Sequence, residues 1–97
     1  MMDRMEPIRG KLLAEDGGKV LLDEVEGYLG SHPRRDGSRT YFGFFGVPPA
    51  KSKGFDADAT YRLVLDDGRT GEIYADVHPS QVPGALVAEF HVAGNLA

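Results

Sequence analysis

The amino-acid sequence predicts an all-β fold, a small single-domain barrel of about six mostly antiparallel strands, on three observations. Apolar stretches are separated by turns rich in Asp-Gly and Gly-Gly at residues 14–18 and 65–69, and such pairs supply the backbone angles of tight hairpins. In the second half of the chain, apolar and polar residues alternate with a period of two. Between the hairpins, an aromatic run of Tyr41, Phe42, Phe44 and Phe45 is broken by Gly43 and Gly46, which suits a strand bending round a barrel corner.

Taken in order, residues 1–5 are expected to be a disordered lead-in. The first hairpin sets Ile8, Gly10 and Leu12 opposite a segment at residues 19–30. That second arm has two readings. Leu21, Leu22, Val25, Tyr28 and Leu29 also share one face of a helix, so the alternative is an α+β fold with residues 19–29 helical. The preceding glycine pair and the match to the first arm favour the strand.

Residues 30–38, with Pro33 and Gly37, read as a loop, followed by the aromatic strand at 39–47, which Pro48 and Pro49 stop. Residues 48–54 read as a second loop. In the second hairpin, Tyr61, Leu63 and Leu65 point one way on the incoming arm, and Ile73, Ala75 and Val77 alternate with Glu72, Tyr74 and Asp76 on the outgoing arm. After a loop at 79–84, Leu86, Ala88, Phe90 and Val92 alternate with Val87, Glu89 and His91 in a strand that should close the sheet. Incomplete closure would leave edge strands able to pair with a second copy.

Composition narrows the function classes. A chain of 97 residues makes one domain, residues 1–97, and its 41% hydrophobic and 27% charged residues suit a folded protein. Without cysteine there is no disulfide framework, thiolate metal site or cysteine nucleophile. The first residues lack a secretory apolar core, and uncharged runs stay far below the roughly 20 residues of a membrane-spanning helix. The expectation is a cytoplasmic protein with no membrane partner. Neither a phosphate-binding glycine loop followed by lysine nor a nucleophile elbow occurs, so no catalytic residue, cofactor or metal site is assigned.

Charge is the more informative feature. The net charge of −4 hides a basic island, because residues 33–54 carry five cationic groups and one acidic group, while the flanking segments are acidic. Arg34, Arg35, Arg39, Lys51 and Lys53 lie on either side of the aromatic strand. Core packing accounts for about half of its rings, and strict alternation turns the others outward, where exposed aromatics mark partner surfaces. The expected partner-binding set is therefore Arg34, Arg35, Arg39, Tyr41, Phe42, Phe44, Lys51 and Lys53 on a non-catalytic module that recognises a protein of acidic character.

Two alternatives use other chemistry. Flat rings beside cations also suit single-stranded nucleic acid, although the acidic remainder opposes a polyanion. A small enzyme or metal protein would centre on His78, near Asp76, and His91, but this spacing matches no ligand motif. The acidic pairs Glu15-Asp16 and Asp66-Asp67 read as turn chemistry, and Asp56 with Asp58 lacks the remaining oxygens of a calcium loop. The alternation, the kinked aromatic strand and the Asp-Gly hairpin are those of small barrels in general, and no motif picks out one family.

Overall fold

A computed structural model describes residues 5–14, 18–56, 59–94 and 96–97. Its six strands are β1 (Glu6–Ala14), β2 (Val20–Pro33), β3 (Arg39–Val47), β4 (Thr60–Leu65), β5 (Thr70–Pro79) and β6 (Leu86–Ala93), with a single 3-10 turn of helix at Pro49–Gly54. They form a closed barrel in the order β1-β2-β3-β6-β5-β4, every neighbouring pair antiparallel. The pairing of β1 with β4 completes the ring, so every strand has a neighbour on both sides, although the β2–β3 hairpin runs past its outer neighbours at Gly30–Pro33 and Arg39–Tyr41.

The helical alternative for residues 19–29 is not what forms, and the reason it looked plausible is visible in the register. Gly10 pairs with Val25, Leu12 with Leu22 and Leu13 with Val20, so β2 carries an extra residue between successive β1 partners at two places. These bulges place Leu22 and Val25, three positions apart, both inside, with Asp23 and Glu24 exposed between them. From Val25 onward ordinary alternation returns, burying Gly27 partly and Leu29 fully while Tyr28 faces out. Bulges thus imitate the spacing of a helical face.

Other boundaries shift modestly. β2 continues through residues expected to be loop and ends at Pro33, paired with Arg39, leaving a short turn at residues 34–38. The stretch after β3 is a 3-10 turn, entered through Pro48 and Pro49, whose fixed φ suits a helix start. The first hairpin is confirmed by its flanks, where the Ala14 N–H donates to the Lys19 carbonyl at 2.8 Å. Glu15, Asp16 and Asp58 lie outside the described residues, as does most of the predicted lead-in, but Met5 is described and its sulfur covers Gly30.

The core is a stack of inward side chains contributed by every strand. Leu12, Phe45, Leu63, Ile73 and Ala88 are fully buried, and Phe45 meets Phe90 at a centroid separation of 5.7 Å. Small residues make room for these rings. A Cβ on Gly43 would lie 2.1 Å from the Tyr28 carbonyl oxygen and 2.7 Å from the Phe90 ring, so only glycine lets β3 approach β2 there.

Each end of the barrel is plugged. At one end Phe55 packs on Tyr61 at 5.4 Å, and the Tyr61 hydroxyl accepts from the Asp56 N–H and donates to the Asp56 carbonyl. At the other, the chain reverses at Gly94, φ 91°, and buries Leu96, while Ala97 exchanges two main-chain hydrogen bonds with Thr70 at 2.8 and 3.0 Å. Among the described residues, no helix is long and apolar enough to cross a membrane.

Candidate functional site

Alternation along β3 decides which rings are available. Phe45 points inward and is buried, and Tyr41 is half-buried and packs against the core cluster. Phe42 and Phe44 take the opposite face, on the outside of the barrel. Of the three aromatic residues expected to meet a partner, Phe42 and Phe44 are therefore brought together, and Tyr41 is turned away from them.

The register adds residues that sequence reasoning did not assign. Phe44 pairs with Tyr28 of β2 on one side and Glu89 of β6 on the other; Phe42 pairs with Gly30 and His91, and His91 with Tyr74 of β5. Tyr28 and Phe44 form a tilted pair with centroids 5.5 Å apart, yet remain 46% and 41% exposed. His32 stacks on Phe42 at 4.6 Å with an interplanar angle of 17°. The outer face of β2, β3, β6 and β5 thus carries a continuous aromatic band from Tyr28 through Phe44 and Phe42 to Tyr74. Tyr74 was legible as an outward residue from the alternation of its strand, whereas Tyr28 read as part of the apolar face of residues 19–29. What brings them beside Phe44 and Phe42 is strand order, which no local pattern contains.

The cationic residues divide between the two ends of the barrel. Arg34 and Arg35 lie in the turn between β2 and β3, and Arg39 begins β3. Lys51 and Lys53 lie on the 3-10 turn beyond the other end of the same strand. At about 3.3 Å per residue, the length of β3 separates the groups by roughly 25–30 Å. The basic island is a strip with two charged ends.

The arginine end is held in a defined shape. Arg34 N–H donates to the Ser38 carbonyl at 2.7 Å, Gly37 N–H returns to the Arg34 carbonyl at 3.1 Å, and Gly37 takes φ 90°. Asp36 accepts from the Ser38 hydroxyl at 2.6 Å and the Ser38 N–H at 2.9 Å. Those hydrogen bonds, the hydroxyl's first, and the nearby Arg34 charge hold the Asp36 carboxyl below its ordinary value. Arg39 Nε donates to the Ser31 hydroxyl at 2.9 Å, so Ser31 is engaged in positioning a cation.

Elsewhere among the described residues the arginines have carboxylate partners. Arg9 pairs with Glu26 at 2.8 Å, Arg62 with Glu72 at 3.9 Å, and Arg69 with Glu6 and Asp67 at 2.9 and 2.8 Å. Among the described residues, no carboxylate is in ion-pair contact with Arg34, Arg35, Arg39, Lys51 or Lys53.

No family model, curated protein or solved structure matches this chain significantly. Its own geometry therefore carries the functional argument.

The histidine reading gains little from that geometry. His78 Nε2 lies 3.2 Å from Glu89, whereas His91 sits between Phe42 and Tyr74, and no group of three or more His, Asp or Glu among the described residues is arranged to hold a metal ion. Asp67 binds the Arg69 N–H and side chain as turn chemistry requires, and Asp56 contributes main-chain groups to Tyr61. A groove of about 900 Å³ adjoins the aromatic band, with Tyr28, Phe44 and Gly46 on one side and Ala85, Leu86 and Val87 on another.

Proposed function

We propose that this barrel is a non-catalytic interaction module that docks an acidic segment of a partner protein along the outer face of β3. One observation carries the reading: the exposed Tyr28–Phe44 pair and Phe42 lie on one outer face that ends at the turn holding Arg34 and Arg35, with Arg39 beside that turn on the alternate side of β3, and these three arginines have no ion-pair partner among the described residues. Aromatic faces supply contact area at small entropic cost, and uncompensated cations at their edge select an acidic partner and speed its approach.

A protein segment fits this surface better than a nucleic acid does. Glu89 sits directly across from Phe44, Asp76 pairs with Glu89 on the next strand, and the chain as a whole carries −4. A uniformly charged phosphate backbone passing over Phe44 would meet these carboxylates, whereas a peptide places its acids where the arginines are and neutral side chains where Glu89 is.

The test uses a fluorescein-labelled acidic peptide containing phenylalanine and leucine, with short single-stranded RNA and DNA oligomers as competitors for the same face. Anisotropy should show saturable peptide binding, weakened about tenfold when Arg34, Arg35 and Arg39 are all replaced by alanine, and comparably by Phe44→Ser. Oligomer binding that falls steeply with salt, in the absence of peptide binding, would assign the face to nucleic acid and reject the proposal. Peptide binding indifferent to these substitutions would also reject it.

A further inference from the structure

After Thr40, the outward positions of β3 read Phe42, Phe44 and Gly46. At the third, where the pattern would place another ring, a Cβ would meet nothing within 4 Å, and the residue is exposed. Gly46 does not have positive φ, so its backbone does not demand glycine. The missing side chain opens β3 onto the groove of about 900 Å³ that runs between the Tyr28–Phe44 pair and Leu86 and Val87. Its outer rim is set by ion pairs already satisfied within the barrel, Arg9 with Glu26 and Arg69 with Asp67.

From these features we infer that the recess above Gly46 is a side-chain pocket that takes one bulky aromatic or branched apolar residue of the acidic segment docked along β3. This rests on the proposed docking face and fixes its polarity and spacing. Tyr28, Phe44, Leu86 and Val87 give the groove apolar contact area, while Glu26, Asp66 and Asp67 on its lining and Glu89 beside Phe44 repel an acidic occupant at this end of the strip. Lys51 and Lys53, beyond Gly46 on the 3-10 turn, do not line the groove, which leaves the acids to the opposite end, over the Arg34-Arg35 turn and the neighbouring Arg39. Arg39 and Gly46 are separated by roughly 23 Å of extended strand, so an extended partner needs about seven residues between its acidic cluster and the anchoring side chain.

The protein contains no tryptophan, so an anchoring tryptophan on a synthetic peptide reports its own burial. The probes are peptides with a glutamate cluster at one end and a single tryptophan either about seven residues away or immediately adjacent, together with a serine replacement of that tryptophan. The spaced peptide should bind at least about tenfold more tightly than the other two, and its indole emission should shift to the blue on binding. Gly46→Leu, which fills the recess without a clash in the barrel, should remove both the blue shift and that affinity gain while leaving the weaker binding that depends on Arg34, Arg35 and Arg39. Equal affinity for the tryptophan and serine peptides, or an unchanged blue shift in Gly46→Leu, overturns the pocket but not the docking face. Absence of binding by any of the acidic peptides overturns both.

Discussion

Two glycines on the same strand should respond oppositely to the same substitution. In a strand interior Gly→Ala ordinarily stabilises by about 0.5–1 kcal/mol, because alanine gives up less backbone freedom on folding. Gly43 and Gly46 both lie in β3, three residues apart. At Gly46 the new methyl enters open space, and Gly46→Ala should raise stability by about 0.5 kcal/mol. At Gly43 it would stand 2.1 Å from the carbonyl oxygen of Tyr28 and 2.7 and 2.8 Å from two carbons of the Phe90 ring.

Neither neighbour of Gly43 yields easily. The carbonyl belongs to the β2–β3 ladder, and the Phe90 ring is held against Phe45 in the centre of the core. Relief requires separating paired strands, which places Gly43→Ala near the top of the range for overpacked cores, a loss of about 3 kcal/mol. For a domain of this size each kcal/mol moves Tm by about 4–8 °C, so Gly43→Ala should unfold roughly 12–24 °C lower than the wild type. Thermal unfolding followed by circular dichroism measures both variants under one set of conditions. If Gly43→Ala proves as stable as Gly46→Ala, β3 does not approach β2 as closely as described, and the account of how the barrel closes fails.

Three further expectations concern the ends and turns of the barrel. Tyr61→Phe removes a hydroxyl that both accepts from and donates to the Asp56 main chain, and should cost about 1–2 kcal/mol in a urea titration; an unchanged midpoint would mean that this plug is not held by that hydroxyl. Leu96→Ala should cost about 2 kcal/mol and speed hydrogen exchange at the Thr70 amide, which Ala97 covers; unaltered exchange would contradict a plug at that end. The Asp67 carboxyl is held below its ordinary value, first by the Arg69 side chain and then by the Arg69 N–H. Its folded-state pKa being depressed, the resulting stability is complete above the ordinary aspartate range near pH 4 and is lost as pH falls through the lower folded-state value. Asp67→Asn should flatten the acid limb of a Tm-against-pH profile, and superimposable profiles would refute that linkage.

What could be read locally was read from alternation. Leu63, Ile73, Ala88 and Phe90 announce their inward faces because a paired strand repeats every two residues, and the turn at Asp67-Gly68 announces itself through its chemistry. The segment Val20–Pro33 resisted because two bulges break that period, and an extra residue opposite Gly10–Leu13 is a property of the pair of strands rather than of either alone. The candidate site divides in the same way. The outward direction of Phe42 and Phe44 follows from their own strand, whereas Tyr28, His32 and His91 join them through the β2–β3–β6 order. That order joins β3 to β6 across nearly forty intervening residues, and no sequence window of ordinary length contains it. The distribution of the cations over two ends was likewise invisible, since residues 34 and 53 are close in sequence but lie beyond opposite ends of β3.

Packing alone explains the inner half of β3 and not the outer half. Phe45 fills the barrel, and Gly43 is small because the Phe90 ring and the β2 backbone occupy the space beside it. On the outer side, alternating polar residues would satisfy the strand equally well, and they do so on β5 at Glu72 and Asp76. Tyr28 and Phe44 instead leave two-fifths or more of their surface in water, which yields little hydrophobic stabilisation per ring and raises the risk of unwanted association. The cations follow the same division, since Arg9, Arg62 and Arg69 have carboxylate partners and, among the described residues, Arg34, Arg35 and Arg39 have none in ion-pair contact. Two independent departures from what folding requires, exposed rings and cations without an ion-pair partner among the described residues, meet on β3 and the elements beside it. The proposed docking function for the outer face of β3 would account for both, and also for the exposed Gly46, which follows Phe42 and Phe44 on that face without a ring.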